Sequence, residues 1–562
     1  MSIIGKKWKI LNQDNTKNLF KKLCENRNLT CEESVDDFFN KKQLEDLHDP
    51  FLMKNMELSV QRILKAIKEQ ERIIIFGDYD VDGVTSSAIL YDLLKTLGAK
   101  VSYRLPDRLN DGYGLNLRFI QEIIALDVKI LITVDCGIAN KELIQTAAEN
   151  GIDVIVTDHH TVPEEFPDSA YAVLHPQQKD CTYPYKELTG AGVAFKFAQA
   201  IIMNSDLPDK HLFIQNYFDL AGLGTLSDLA PLTGENRIIV KNGLYHINRS
   251  PRHGIKSLIK AAWKNIDKEL KSTDVSFYLA PRLNAAGRIQ SPYYALQLLL
   301  STEKDAEKLA LYLNKLNQTR RMETQKCMEE AENLLLEDIK KEKILIAWSK
   351  DWHLGIIGLV AGKLNEKYNI PSIIMTQNNN QLVGSARSPE IFNIIQALTY
   401  HKKLLPHFGG HKQAAGFSLE LKDFEEFKNS LREYASNELK NKNISPKLEI
   451  DCEIETPEIN FDTYSVIEKF EPFGVANNEP IFLFRNTRVS NLRELGSTGK
   501  HISFNSIKDS KSFRCIAFNF AQYSNLFLED KKMDLVIKLN KNTWQNNENL
   551  EFQLIDAAIS TQ

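Results

Sequence analysis

The sequence predicts an α/β protein with a parallel-sheet lobe, a long helix leading to a smaller α/β lobe, and a small β-barrel after them. Three observations predict it. Apolar runs of strand length alternate with helically spaced apolar residues over 56–157 and again from Lys343, the rhythm of parallel strands joined by crossover helices. Residues 302–340 are rich in Leu, Glu, Lys and Ala and contain no Gly or Pro. Beyond residue 446, short strand-like pieces recur between turn signals, as in a small barrel.

Composition sets the outer bounds. A chain of 562 residues exceeds what one core usually supports, so three or four domains are expected. Hydrophobic residues at 43% and charged residues at 26% are ordinary for a globular protein. The net charge of −4 gives no global basic signal, so nucleic-acid binding has to rest on local patches. The 7 cysteines are scattered without a C-x-x-C pair. That suits a reducing, cytoplasmic setting and argues against disulfides and a cysteine zinc site. No signal-peptide core and no bilayer-length apolar run is present, so no membrane partner is expected.

Residues 1–50 are polar and Lys/Asn-rich and read as an N-terminal extension. Asp49-Pro50-Phe51 opens the first lobe, assigned to 51–301. Met56, Val60, Ile63, Leu64 and Ile67 have helical spacing. Ile73-Ile74-Ile75-Phe76 is a β-branched run too short for a buried helix, so it reads as a buried strand. Gly77 breaks it, and Asp78, Asp80 and Asp82 follow at alternate positions before a helical pattern begins at Gly83. Residues 101–105, 129–134 and 153–157 read as further strands. Residues 117–126 and 141–150 read as helices, the second closed by Gly151. The strand at 129–134 ends at Asp135, and the one at 153–157 ends at Asp158-His159-His160.

Parallel strands share one carboxyl edge, and ligands collect outside that edge in open α/β sheets. Three separate stretches thus deliver acids and imidazoles to one crevice. Clustered carboxylates repel unless a cation neutralises them. D-x-D-x-D-G also opens a calcium loop, but the twelfth position is Ile89 rather than Glu, and the preceding segment is a strand. Asp219 adds a carboxylate inside an apolar helical stretch, where it is costly unless paired or metal-bound. Asp228 has the same alternatives and a weaker case. The expected ligands are Asp78, Asp80, Asp82, Asp135, His159 and Asp219. This oxygen-rich set suits Mn²⁺ or Mg²⁺ and is too large for one tetrahedral zinc. Two metals ~3.5–4 Å apart, bridged by one Asp, would activate a water for phosphoryl chemistry. Asp80 and Asp135 are the residues whose loss should stop catalysis. His159 and His160, adjacent at a strand end, should diverge, so that His159 ligates metal while His160 faces the phosphate.

Asp158-His159-His160, with G-D-Y-D-V-D-G and T-V-D-C-G, resembles the DHH phosphoesterase superfamily, and within it the RecJ family of bacterial single-strand-specific exonucleases. Further matching motifs are Pro106-Asp107-Arg108 through Gly112-Tyr113-Gly114, L-G-T-L-S-D at 223–228, P-R-L-N-A-A-G-R at 281–288, G-S-A-R-S at 384–388 and Gly409-Gly410-His411. The superfamily often has a His before the first acids, where this chain has Phe76. The resemblance covers nearly the whole chain from Asp49. It implies a DHHA1 domain at 341–438 that faces the metals and binds substrate, and an OB-fold at 446–562. The helix at 302–340 would join the first two. Substrate contacts are expected from Arg108, Tyr113, Arg282, Arg288, Ser385, Arg387 and His411. Ser385 and Arg387 place a hydroxyl and a guanidinium on one short turn, suited to phosphate. Phe504, Phe513, Phe518 and Trp544 are barrel aromatics, more often core than base-stacking.

The implied activity is 5′→3′ digestion of single-stranded DNA to nucleoside 5′-monophosphates in recombination and repair, by a monomer working with a single-strand-binding protein and a helicase. Two rival readings are a DHH phosphodiesterase of oligoribonucleotides or cyclic dinucleotides and an inactive single-strand-binding protein. The C-terminal barrel disfavours the first and the intact ligand set disfavours the second.

Overall fold

The computed structural model describes residues 2–560 except 109–111, 113, 250, 264–268, 441, 443–445, 497–498, 528–530 and 545–546. The chain forms two compact units, residues 42–444 and residues 1–41 together with 445–562.

The larger unit is built on five strands: β1 (Arg72–Gly77), β2 (Lys100–Arg104), β3 (Ile130–Val134), β4 (Asp153–Thr157) and β5 (Ala172–Leu174), in the order β2-β1-β3-β4-β5. All neighbours are parallel. Gly77 lies beside Val134 and Val134 beside Thr157, so three strands end level. The helices of this unit include α1 (Met56–Glu69), α2 (Val81–Thr96), α3 (Leu117–Ala125), α4 (Lys141–Glu149), α5 (Gly190–Asn204), α6 (Phe218–Ser227), α7 (Ala280–Ile289) and α8 (Tyr293–Leu299). Ile73 and Ile75 join one core with α1, α2 and α5, while Ile74 and Phe76 join a second core with α3 and α4. Both faces of the sheet are covered, which is why β1 carries no polar alternation. Each such side chain contributes about 1.5–3 kcal/mol by leaving water. The three-residue β5 was not anticipated, because so short a run carries no readable period.

Helix α9 (Glu303–Leu334) has 32 residues and stops short of the expected residue 340. At ~1.5 Å per residue it spans about 48 Å. Its first half buries Ala306, Ala310, Leu313 and Leu316 in the core of the parallel-sheet lobe. Its second half buries Cys327, Met328 and Ala331 under the smaller lobe.

That lobe holds β6 (Leu345–Trp348), β7 (Ser372–Asn378), β8 (Gln381–Arg387), β9 (His407–Gly410) and β10 (Ala414–Glu420), in the order β9-β10-β8-β7-β6, with α10 (Leu354–Tyr368) packed on it. Two expectations change here. Ser385 and Arg387 lie on strand β8 rather than on a turn, and His407–Gly410 is a strand rather than a Gly-rich turn. Pairing with β7 and β10 on either side holds β8 extended despite its small residues.

In the other unit, β11 (Phe482–Leu495), β12 (His501–Lys508), β13 (Lys511–Ala517), β14 (Lys532–Trp544) and β15 (Asn547–Ile559) run in the order β11-β12-β13-β15-β14, and β14 pairs back onto β11. This closes a five-stranded barrel of the OB type. The strand Lys7–Ile10 pairs in parallel with Lys447–Ile450. The Trp8 indole N–H donates to Asp556 at 2.7 Å, and the Phe20 and Phe39 rings lie 5.7 and 5.0 Å from Phe470. Residues 1–41 are therefore part of the barrel unit, not an extension of the first lobe. Phe504 is core, Phe513 is partly buried against that core, and Phe518 is exposed. The Trp544 side chain lies outside the described residues. Among the described residues no helix is long and apolar enough to cross a membrane.

Candidate metal centre

The level ends of β1, β3 and β4 place three loops side by side. After β1, Asp80 caps α2: its Oδ1 accepts from the amides of Asp82 and Gly83 at 3.0 and 3.2 Å. Asp82, in the first turn of α2, accepts from the Gly190 and Ala191 amides at the start of α5, at 2.7 and 2.9 Å. After β3, Asp135 adopts a left-handed φ of 60°, which Asp tolerates better than most residues. A Cβ added to Gly190 would stand 2.6 Å from Asp135 Oδ1, so only glycine lets α5 approach this closely. After β4, Asp158 turns inward and its Oδ1 accepts from the amides of His159 and His160 at 2.7 and 3.1 Å.

These loops bring together three overlapping groups: Asp78, Asp80 and Asp135; Asp135, His159 and His160; and Asp82, His159 and Asp228. Within each, candidate ligand atoms lie within 4.8 Å of one another. His159 Nε2 is 3.1 Å from Asp135, 3.7 Å from Asp82 and 3.9 Å from Asp228. His160 Nδ1 is 2.8 Å from Asp158 and 4.0 Å from Asp135. The two imidazoles do not diverge as strand neighbours would. The chain has already left β4, and their rings sit 4.5 Å apart.

Electrostatics of this cluster call for a cation. Burial, and then Asp80, push Asp78 well above the usual carboxylate range; burial, and then Asp82, do the same to Asp135. Burial and Asp80 raise Asp82 to about 7, and burial and Asp82 raise Asp228 to about 8. Burial and His160 lower His159 to about 3, leaving a neutral imidazole able to ligate. Against the cost of burial, its hydrogen bond to Asp158 raises His160 to about 9, and the same bond lowers Asp158 to about 2. Asp78 Oδ1 and Asp135 Oδ1 are buried and accept no hydrogen bond among the described residues. Acceptors converging without donors fit hard divalent cations.

Asp219 stands apart from this cluster. It is buried 3.1 Å from the guanidinium of Arg252 and belongs to none of the three groups. About two and a half turns further on, the C-cap of α6 brings Asp228 to the cluster instead. Helical geometry separates the two: nine residues apart, they lie on different faces.

Beside the cluster stand unpaired cations. The Arg108 guanidinium lies 4.8 Å from the Tyr79 ring centroid. Arg288, on α7, donates to the Gly355 carbonyl at 3.2 Å, and Arg387 donates to Ser385 Oγ at 3.1 Å. Burial, with Arg108 and Arg320 close by, lowers Arg288 to about 9; burial and Arg108 also lower Arg387. Among the described residues no carboxylate within ion-pair distance offsets these guanidiniums, so the pocket is suited to an anion. Arg282 is held by Asn314 and the Tyr278 carbonyl, 3.0 and 2.6 Å away. His411 is exposed beyond β9. Tyr113 lies outside the described residues. Sequence reasoning missed Asp158 as the group that holds His160, and the α5 amides that hold Asp82. The D-H-H triplet signalled the first; nothing local signalled the second.

Family models match in three places: the DHH family N-terminal domain at residues 72–225, the DHHA1 domain at 341–437 and the RecJ OB domain at 450–556. The Single-stranded-DNA-specific exonuclease RecJ of Haemophilus influenzae is 32% identical over 92% of this chain and 92% of its own length. The chain belongs to the RecJ family. The RecJ of Bacillus subtilis is 36% identical over 92% of this chain, which spans 65% of that relative's length. Crystal structures of RecJ agree: the Mn²⁺ complex from Thermus thermophilus has a TM-score of 0.81 at 28% identity, covering 99% of this chain and 80% of that one. A second RecJ bound to manganese has a TM-score of 0.61 at 34% identity, covering 70% of this chain and 98% of that one. The RecJ resemblance read from the D-H-H motif and its companions is thus borne out across both units.

Proposed function

We propose that this chain is a metal-dependent exonuclease that digests single-stranded DNA in the 5′→3′ direction to nucleoside 5′-monophosphates. The observation that carries the reading is the pairing of a donor-poor carboxylate and imidazole cluster with an adjacent set of unpaired guanidiniums. One can hold two divalent metals, the other a phosphate. Asp78, Asp80, Asp82, Asp135, His159 and Asp228 would hold Mn²⁺ or Mg²⁺, with Asp135 shared between two positions. When bound, such ions lower the pKa of an attacking water and offset charge on the phosphoryl oxygens. His160, fixed and kept protonated by Asp158, donates toward the scissile phosphate. Arg108, Ser385 and Arg387 grip the phosphate at the 5′ end, which offers more charge and more free oxygens than an internal diester. Arg288 and Arg282 steady the next linkages, and Tyr113 and His411 complete the substrate contacts. The name of the relatives, single-stranded-DNA-specific exonuclease, supports the substrate class.

A nuclease confined to single strands needs another activity to expose them. A helicase and a single-strand-binding protein are therefore its proposed partners, in recombination and repair. The 7 free cysteines support a reducing, cytoplasmic setting. The test is product analysis on a 5′-labelled single-stranded oligonucleotide. With Mn²⁺ the label should leave first as a mononucleotide, and a chelator should stop the reaction. Release of internal fragments, or metal-independent cleavage, would overturn the reading.

A further inference from the structure

A cavity of about 950 Å³ lies between the C-terminal half of α2, the outer strand β2, α8 and the first turns of α9. It is separate from the metal centre. Helix α2 begins at the Asp80 cap, and its cavity-lining residues Tyr91 and Lys95 lie near the other end. Eleven residues of helix put Tyr91 roughly 16 Å from that cap.

Four phenol rings line the cavity. Tyr91 meets Tyr103 edge to face with centroids 4.8 Å apart, and Tyr294 meets Tyr312 in the same way at 4.8 Å. All four are only partly buried. Each packs against the main core of the lobe and leaves part of its ring open to the cavity. The charges around them are also informative. Asp92 is already engaged by Arg252 at 3.5 Å and by the Tyr217 hydroxyl at 3.1 Å. That leaves the exposed ammoniums of Lys95 and Lys308 against the single carboxylate of Asp305. Gln297 and Ser301 add amide and hydroxyl groups to the same walls. The cavity therefore combines aromatic walls, a basic excess at the rim and hydrogen-bonding groups between them.

We propose that this cleft is a second binding site, for a nucleoside monophosphate, separate from the metal centre. The base would stack on the tyrosine pairs, because every base presents a π face to an aromatic platform. Lys95 and Lys308 would take the phosphate as point charges. Gln297 and Ser301 would meet the base edge. Such a molecule can come from two sources: the product of the reaction proposed above, or free ribonucleotides.

The test is calorimetric titration of dAMP and of AMP into the full chain with EDTA present, which keeps the metal centre out of the measurement. Saturable 1:1 binding is expected below about 1 mM. Whichever of dAMP and AMP binds more tightly identifies the source. Tyr91→Ala and Tyr312→Ala should each weaken binding by about tenfold, the scale of one lost stacking contact. Lys308→Glu, at an exposed position that does not endanger folding, should weaken AMP more than adenosine. Because Arg387 belongs to the 5′-phosphate pocket beside the metal centre, the same titration in Arg387→Ala isolates the cleft, and saturable binding should persist there. No saturable binding, equal binding of inorganic phosphate, or loss in Arg387→Ala with the cleft variants unaffected would overturn the proposal.

Discussion

At the scale of single residues, Asp135 and Asp219 make the sharpest contrast. Both are buried acids; the sequence assigned Asp135 to the metal crevice at a strand end and left Asp219 either metal-bound or paired. Asp135 meets His159 and other carboxylates; Asp219 meets Arg252. Asp135→Ala, and likewise Asp80→Ala, should reduce Mn²⁺-dependent hydrolysis to background in a folded protein, because transition-state charge loses its stabilisation. Asp219→Ala should keep its turnover but lose about 2 kcal/mol of stability, since it removes a charged hydrogen bond from the half-buried Arg252 and leaves it only the carboxylate of Asp92. Parallel assays and urea melts separate the outcomes, and an inactive but fully stable Asp219→Ala protein would return Asp219 to the ligand set. His160→Ala should lower kcat while strand affinity, read by anisotropy, hardly moves. Arg387→Ala should erase a preference for 5′-phosphorylated over 5′-hydroxyl oligonucleotides. If the preference persists, Arg108 is the next residue to change.

At the scale of elements, the site depends on helices approaching more closely than side chains permit. Helix α10 begins so near α7 that a Cβ on Gly355 would stand 1.9 Å from the Arg288 carbonyl oxygen. Gly190 at the start of α5 has the same relation to Asp135. Gly190→Ala should therefore raise the Mn²⁺ concentration needed for half-maximal rate, by displacing Asp135. Gly355→Ala should instead weaken binding of strands by shifting Arg288, with the metal requirement unchanged. Metal titrations of both variants read the difference. The strands show how pairing overrides local propensity. The Ser385–Arg387 stretch of β8 and the glycines of β9 suggested turns, but their backbone groups are satisfied by neighbouring strands that no local pattern announces.

For the whole molecule, metal binding and folding are linked. In the metal-free protein burial and Asp80 raise Asp82 to about 7, and burial and Asp82 raise Asp228 to about 8. A carboxyl whose pKa is higher folded than unfolded holds its proton in the folded state after the unfolded chain has lost it, so stability falls as pH rises from the unfolded value of about 4 to the folded one. The Tm of the chelated protein should thus fall from about pH 4 to about pH 8, between the unfolded carboxylate value and the folded values of Asp82 and Asp228. The increase in Tm on adding Mn²⁺ should grow over the same window, since the metal binds the folded state and replaces the lost protons. A metal-induced gain that is flat with pH would contradict the assignment of these carboxylates. Salt is the second whole-molecule lever. The net charge is −4, yet the cations near the site are concentrated in Arg108, Arg288, Arg320 and Arg387. Strand affinity should fall linearly with the logarithm of salt concentration despite the acidic total.

The sequence by itself determined the parallel sheet, its three acid-bearing strand ends, the long helix and the strand-rich C-terminal segment. Each rests on local information: strand-length apolar runs, spacing of three to four residues, and acids placed at the end of a run. The metal cluster was legible for the same reason, since parallel strands that end level must present their next residues together. Tertiary structure alone decided the rest. It placed Asp228 rather than Asp219 beside the strand-end carboxylates, because the positions of Arg252 and of the strand-end loops appear in no helical pattern. It turned the two histidines side by side, because the chain leaves β4 before reaching them. It assigned residues 1–41 to the barrel unit, through a strand pairing between Lys7–Ile10 and the Lys447–Ile450 segment that precedes the barrel. Contacts between distant segments depend on the positions of whole elements, and a linear pattern of residues does not carry those positions.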